Sequence, residues 1–357
     1  MSAVAAEVTA QTAGQRIALL GTGTVGSAFI ARYQHLQTRG VALPPVRWLA
    51  NSRTAQTVGA DLEGPLQQAR TAPRGTAPAL PWAQDQHLQR GDVVVDATAS
   101  DDVAAWHAPW LARGVHVVTA NKLGCGGQLE RAQLIAARGA ANSARYGDSA
   151  TVGAGLPLLS SLRALRAGGD HIHSIEGVLS GSLAWLFHRY DGSQAFSSVV
   201  REALHAGFTE PDPREDLSGE DVRRKLLILA RACGWALHAE QVQVHSLVPA
   251  SLATLPPASA LDALSQFDAP LQQRWRDAQD RGQVLRFVGR VDATSARVEL
   301  RALPSTHALA SGTGTDNRVA IHSDRYRDQP LLIQGPGAGP AVTAAALLDD
   351  VLRIASA

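Results

Sequence analysis

Cysteine is nearly missing from this sequence: Cys125 and Cys233 are the 2 in 357 residues. Two thiols so far apart match neither a disulfide framework nor a zinc-ligand spacing, so they read as buried free thiols in a cytoplasmic protein. An excess of charge is missing too. The chain has 33 Lys and Arg against 32 Asp and Glu, for a formal charge of +1, and no basic run interleaved with aromatics. Nucleic acid is therefore not an expected partner. No apolar run is long enough to span a bilayer, so no membrane partner is expected either. The 12 histidines contain no H-x-x-x-H pair, and no serine lies in a G-x-S-x-G context, which removes two common hydrolase readings. Residues Met1 to Gln15 have no basic start and no signal-type apolar core, and are expected to be a frayed extension.

What is present divides in two. The length exceeds an ordinary single-core domain, so two domains are expected. Arg16 to Leu20 reads as a short apolar strand, GTGTVG follows at once, and Ser27 to Gln37 reads as a helix. Gly21, Gly23 and Gly26 have the G-x-G-x-x-G spacing, with Thr24 and Val25 inside it. Gly21 permits the tight turn, Gly23 lets backbone approach a pyrophosphate, and Gly26 allows close packing of the helix. Glycine turns join many strands to helices, but strand, turn and helix in this order complete the context for a dinucleotide. A second strand, Val46 to Ala50, ends in Asn51-Ser52-Arg53. An acidic residue there would grip a ribose 2′-hydroxyl; none is present, and Arg53 can pair with a 2′-phosphate. The ordinary fate of a loop arginine is solvation. Even so, the balance favours NADP(H), with NAD(H) the alternative.

Strands at Asp92 to Ala97 and Val115 to Val118 flank a helix at Val103 to Arg113. Their carboxyl ends carry Thr98, Ser100, Asn121 and Lys122, the side on which open parallel sheets hold ligands. Asp61 to Arg90, rich in Pro, Gln and Ala, gives no clear period. A helix at Gln128 to Arg138 leads to a glycine-rich segment, Tyr146 to Pro157, in which Pro157 suits a helix N1 position. Its backbone carbonyls can collect a hard cation, although a hinge explains the same glycines.

The middle of the chain changes character. Ser174 to Leu179, Val242 to Leu247, Gln283 to Val291, Ala296 to Leu303 and Asn317 to His322 alternate like strands of a mixed sheet, with helices between. Leu331 to Gly339 repeats strand and glycine turn, and the helix Ala341 to Ile354 should return to the first domain. The expected fold is therefore α/β: a Rossmann-type parallel-sheet domain at 1–150, completed by the C-terminal helix at 336–357, plus an α+β domain with a mixed sheet at 151–335.

Gly207 to Arg231 is the most charged stretch of that second domain. Glu210, Asp212, Glu215 and Asp216 crowd around Arg214, and Pro211 and Pro213 should keep Thr209 to Leu217 stiff and non-helical. A helix follows, with Ser218 as N-cap, Asp221 in a variant capping box, and Val222, Leu226, Leu229 and Cys233 on its apolar stripe. Asp221 and Lys225 lie one turn apart on the shoulder of that stripe. Such pairs are usually surface pairs worth roughly 0.2–0.5 kcal/mol. A lysine beside a bound dinucleotide has another use, as an acid/base.

GTGTVGSAF, TANK, ATVGAGLP, LSGSL, GFTEPDPREDLSGEDVRRK and GPGAGPAVTAA occur in this order. Together they resemble the homoserine dehydrogenase family over nearly the whole chain. The likeness is to its short monofunctional form, or to the dehydrogenase module of fused aspartokinase–homoserine dehydrogenases, without the regulatory tail and its threonine site. The resemblance implies reversible reduction of L-aspartate-4-semialdehyde to L-homoserine, in a cytoplasmic homodimer assembled through the middle domain. It implies Lys225 as the acid/base, Lys122 as its partner, and Glu210 and Asp221 binding the substrate amino group. Asp216, Gly181 and Ser182 would line the substrate site. Gly21 through Gly26, Thr98, Ser100, Lys122, Gly337 and Gly339 would hold the cofactor. A monovalent cation, Na+ or K+, would be held by carbonyls of Val152, Ala154 and Leu156, with Ser149 where relatives carry Glu or Asp, and Asp148 one place off. Phe208 stands where many relatives have Tyr. Two other readings share the glycine turn: another NAD(P)-dependent amino-acid oxidoreductase, and a non-catalytic dinucleotide sensor, which would have no need of the lysine–carboxylate cluster.

Overall fold

The computed structural model describes residues 14–73 and 88–356. The expectation for Met1 to Gln15 therefore falls almost wholly outside the described residues, as does part of Asp61 to Arg90. The chain divides into two compact units, one of Met1–Gly155 with Gly339–Ala357, the other of Leu156–Ala338.

The first unit is built on β1 (Ile17–Leu20), β2 (Val46–Ala50), β3 (Ala55–Thr57), β4 (Val93–Asp96), β5 (His116–Thr119) and β6 (Tyr146–Gly147), in the order β3-β2-β1-β4-β5-β6. All neighbours are parallel except β2 and β3, an antiparallel edge pair that the sequence reading missed. The central strands IALL, VVVD and HVVT are buried at every position, as parallel strands covered on both faces should be. Successive side chains point to opposite faces. Ile17 and Leu19 accordingly join Phe29, Ile30, Leu347 and Val351 in one core, while Ala18 and Leu20 join Trp110, Leu111 and Ile135 in the other. Leu347 and Val351 come from the C-terminal helix Pro340–Ala355, so the end of the chain completes the first unit. Chain order reverses at β1, whose neighbours β2 and β4 lie on either side, and that is where open sheets of this kind bind ligands.

The second unit holds β7 (Ile172–Val178), β8 (Val242–Val244), β9 (Gln283–Asp292), β10 (Ala296–Pro304), β11 (Asp316–Ser323) and β12 (Leu331–Pro336), in the order β12-β11-β7-β9-β10-β8. It is mixed: antiparallel throughout except for the parallel pair β10 and β8. The helix Glu220–Ala232 buries Val222, Leu226, Leu227, Ile228 and Leu229, and each such side chain contributes about 1.5–3 kcal/mol of burial.

Three local expectations need correction. Thr209 to Leu217 is not wholly non-helical: Pro213 opens a short helix, Pro213–Leu217, with the Asp212 carboxylate accepting from the Arg214 N–H. Proline is excluded from helix interiors but is pre-set for the first helical position, so Pro213 starts a turn. Ser218 is not the cap of the following helix either. Gly219 takes that place at φ +80, with no side-chain cap, while Ser218 ends the preceding turn. Pro157 sits one position earlier than expected, as the N-cap of Leu158–Ala167.

Candidate functional site

In the first unit the glycine turn is set by contacts that exclude side chains. Gly21 adopts φ +92, and a Cβ there would meet the Ala97 carbonyl oxygen at 2.7 Å. A Cβ on Gly26 would fall 1.9 Å from the carbonyl oxygen of Gly21 itself. Gly23 caps the helix, which begins at Thr24 and runs to Thr38, three residues earlier than its sequence pattern suggests. Its first N–H groups and the helix dipole thus face the end of β1, an arrangement suited to phosphate.

A cavity of about 660 Å³ opens at this turn, and Gly21, Gly23, Arg53, Thr98 and Ser100 line it together. Thr24, Val25 and Gly26 sit behind the turn in the helix start, and Lys122 is not among the lining residues. Arg70 and Asn51 line it as well, although the sequence gives neither a ligand role. Arg70 lies in the helix Glu63–Thr71, inside the stretch without a clear period. Asn51 fastens the cavity wall: its Nδ2 donates to Thr22 Oγ1 and to the Ala69 carbonyl, both at 2.7 Å. Arg53 is held by Nη1, which donates to the carbonyls of Arg70 at 2.9 Å and Ala72 at 3.2 Å, where that helix ends.

A buried network behind the cavity holds the two strand-end loops in place. Asp96, fully buried, pairs with His107 at 2.9 Å, accepts from Asn121 Nδ2 at 3.0 Å, and accepts from the Thr98 N–H at 2.9 Å. Asn121 Nδ2 also donates to the Ser100 carbonyl at 2.8 Å. The other His107 nitrogen meets the Tyr146 hydroxyl at 3.0 Å. Burial raises the Tyr146 hydroxyl well above the ordinary phenol range, so it stays protonated. Lys122 follows Asn121 directly and begins the short helix Leu123–Gly126. Gly339 caps the helix Pro340–Ala355 at φ +122.

In the segment expected to hold a cation, Ser149 is tied to the C-terminal helix. The Ser149 N–H and hydroxyl both donate to the buried Asp350 carboxylate at 2.9 Å. Arg353 pairs with that carboxylate at 2.9 Å and reaches the Ser149 hydroxyl at 3.4 Å. Burial raises Asp350 above the ordinary carboxylate range, against those bonds. The hydroxyl spends its proton on the carboxylate, and its oxygen keeps two lone pairs, one of them facing Arg353. Val152 and Ala154 contribute only backbone, with Ala154 in the left-handed region at φ 49. Leu156 belongs to the second unit, and its carbonyl accepts from the Leu158 N–H at 2.8 Å.

The second unit assembles the acidic loop around Lys225. Although it sits on a helix with a polar face, Lys225 is buried, at 7% exposure. Its Nζ donates to Asp221 Oδ2 at 2.8 Å and to the Leu179 carbonyl at 2.7 Å. That is not the geometry of a loose surface pair. Leu179 precedes Ser180, the N-cap of the helix Gly181–Arg189, on whose first turn Gly181 and Ser182 lie. The Ser182 hydroxyl donates to Asp216 Oδ1 at 2.6 Å, and the Glu210 N–H donates to Asp216 Oδ2 at 2.8 Å. Asp216 thus ties the Glu210 backbone to the start of that helix. Its carboxyl is raised above the usual aspartate range, first by burial, with the Ser182 bond opposing and the Asp221 charge adding. The Glu210 side chain is exposed. Phe208 is 40% exposed and packs tilted against Trp185, the ring centroids 5.1 Å apart. Gly337 lies over Asn317, a residue the sequence reading assigned only to a strand.

A glycine turn at the switch point of a largely parallel sheet, in a chain whose second unit is α+β with a buried, hydrogen-bonded lysine, defines a two-unit protein of the dinucleotide-binding class. The profile described as "Homoserine dehydrogenase" matches residues 157–352, and the one described as "Homoserine dehydrogenase, NAD binding domain" matches 21–146. The chain belongs to the homoserine dehydrogenase family. It is 35% identical to the homoserine dehydrogenase of Saccharomyces cerevisiae, over 95% of this chain and 97% of that one. It is 42% identical over 294 residues to bifunctional aspartokinase/homoserine dehydrogenase 2 of Zea mays, covering 82% of this chain and 32% of that one. The chain thus spans about a third of the length of the bifunctional plant relatives. Among solved structures, a Candida auris protein of unknown function superposes with a TM-score of 0.83 at 34% identity, over 95% of this chain and 98% of that one.

Proposed function

We propose that this chain reduces L-aspartate-4-semialdehyde to L-homoserine reversibly, using NADPH in preference to NADH, with Lys225 as the acid/base. The observation that carries this is the setting of the ammonium. Among the described residues, two of its three N–H groups are committed, to Asp221 and Leu179, and one, in a buried place, is left for a substrate oxygen. A bound nicotinamide would supply the hydride that the aldehyde carbon takes up. The remaining Lys225 N–H then supplies the proton to the developing alkoxide. In the reverse direction the neutral amine takes the proton of the homoserine hydroxyl.

Glu210 and Asp221 would receive the substrate ammonium, and Asp216, Gly181 and Ser182 would wall the pocket, with Asp216 holding Glu210 in place. Lys122 would sit by the substrate and nicotinamide. The first unit, residues 1–150 with the C-terminal helix, would hold the dinucleotide through the Gly21–Gly26 turn, Thr98, Ser100 and Gly339. The preference for NADP(H) is supported by two cationic side chains, Arg53 and Arg70, lining one cavity with no acidic residue at the end of β2. A monovalent cation, Na+ or K+, would be held by the backbone carbonyls of Val152 and Ala154, beside a Ser149 hydroxyl engaged by Asp350 and Arg353. The enzyme would act in the cytoplasm, where Cys125 and Cys233 remain thiols, as a homodimer built on the second unit.

The test follows the absorbance of NADPH with aspartate semialdehyde, and repeats it with NADH. Lys225→Ala should cut turnover by roughly 10²–10⁴, the usual contribution of a positioned acid/base, while NADPH affinity stays unchanged. Near-normal turnover in that variant would retire the assignment.

A further inference from the structure

Asn317 is fully buried on β11, and no role given above uses its side chain. Its Nδ2 donates to the Leu179 carbonyl at 3.2 Å, the same oxygen that accepts from Lys225 Nζ at 2.7 Å. A carbonyl oxygen has two lone pairs. With the amide on one, the direction open to the ammonium is restricted to the other. Above the amide lies the second glycine turn: a Cβ on Gly337 would come within 2.0 Å of Asn317 Cγ and 2.2 Å of its Nδ2. The amide therefore occupies the volume that a side chain at 337 would need. Its Oδ1 is buried without a hydrogen-bond partner among the described residues. An aliphatic residue of equal size would fill the same space without stranding an acceptor, so packing alone does not explain an asparagine here.

We propose that Asn317 is a positioning residue for Lys225: it holds the Leu179 carbonyl on which the ammonium rests, and by filling the space under Gly337 it ties that carbonyl to the glycine turn. The inference deepens the reading of Lys225 as the acid/base and rests on it. Chain connectivity alone cannot supply this coupling, because β11, β7 and the helix Glu220–Ala232 are far apart in sequence and converge on one oxygen.

The experiment compares Asn317→Leu, Asn317→Ala and Lys225→Ala for steady-state turnover, NADPH affinity by fluorescence titration, and thermal melting. Both Asn317 variants should lower kcat by about tenfold or more, with KM and NADPH affinity within about threefold of the parent. Gly337→Ala alone should also lower kcat, yet add no further loss when combined with Asn317→Ala, because its methyl then enters the vacated space. Such non-additivity is not expected of two unrelated structural defects. Leucine keeps the branched shape without the amide, and alanine removes the amide without adding bulk, so one folded variant suffices for the comparison. Parental kcat in a folded Asn317 variant, alongside a dead Lys225→Ala, overturns the inference alone. So does a loss that merely tracks the folded fraction. Turnover retained in Lys225→Ala overturns the acid/base reading and this inference with it.

Discussion

Replacing Gly26 by alanine tests the dinucleotide site through a single methyl group. The added Cβ would stand 1.9 Å from the Gly21 carbonyl oxygen and 2.9 Å from its carbon, both backbone atoms with no rotamer to escape into. Real Cβ contacts essentially never fall below 3.0 Å, so either the turn or the start of the helix must retreat by roughly 1.1 Å, the gap between 1.9 and 3.0 Å. The turn is fixed on its other side, where the Gly21 N–H donates to the Ala50 carbonyl at 2.8 Å, so the strain reaches the end of β2 as well. A backbone N–H about 2.9 Å from a phosphate oxygen would end near 4 Å, which is no longer a hydrogen bond. Hydrogen bonds to charged groups contribute about 1.5–3 kcal/mol each, so losing one weakens binding by roughly 10- to 100-fold. Titration of NADPH fluorescence measures this directly, and melting controls for folding. Helix propensity predicts the opposite trend, because alanine is favoured over glycine inside a helix by about 1 kcal/mol. A variant that binds NADPH like the parent and melts higher would show that propensity wins and that the turn does not cradle the pyrophosphate.

Cofactor choice and pH response give two more tests. Arg53→Ala should weaken NADPH by roughly 10- to 100-fold through loss of a charge-assisted bond, and leave NADH nearly unchanged. An equal loss for both would mean that the guanidinium serves the shared part of the cofactor. Asp216 is raised above the ordinary aspartate range, so on acidification it takes up its proton at a higher pH than a free carboxyl would. Protonation removes an acceptor from Ser182 or the Glu210 N–H, and kcat/KM should therefore fall as pH drops through that raised pKa. Asp216→Asn cannot titrate; its kcat/KM should be lower at neutral pH but should lack this acid limb. The same limb in the variant would assign it to another group.

The parts of the site that sequence made legible are those whose geometry is set within a few residues. The glycine spacing is one, because a strand, a turn and a helix fix their own short-range contacts. The Asp221–Lys225 pair is another, since helical pitch alone brings residues four apart together, and they meet at 2.8 Å. Proline shows where a local rule was misapplied. Pro213 excludes helix only when residues before it need helical bonds, and at the first position it starts one. What stayed hidden depends on sheet order. The Leu179 carbonyl is 46 residues from Lys225, and Asn317 is 138 residues from Leu179; no periodicity links them. They meet because β11 is inserted between β12 and β7. The same applies to Arg70 beside Arg53, and to Asp96 binding both His107 and Asn121. A lysine could thus be named from its own helix, but the direction of its ammonium is decided by strands that its neighbours in sequence do not include. Changes on β11 should therefore alter turnover without touching any residue that contacts substrate.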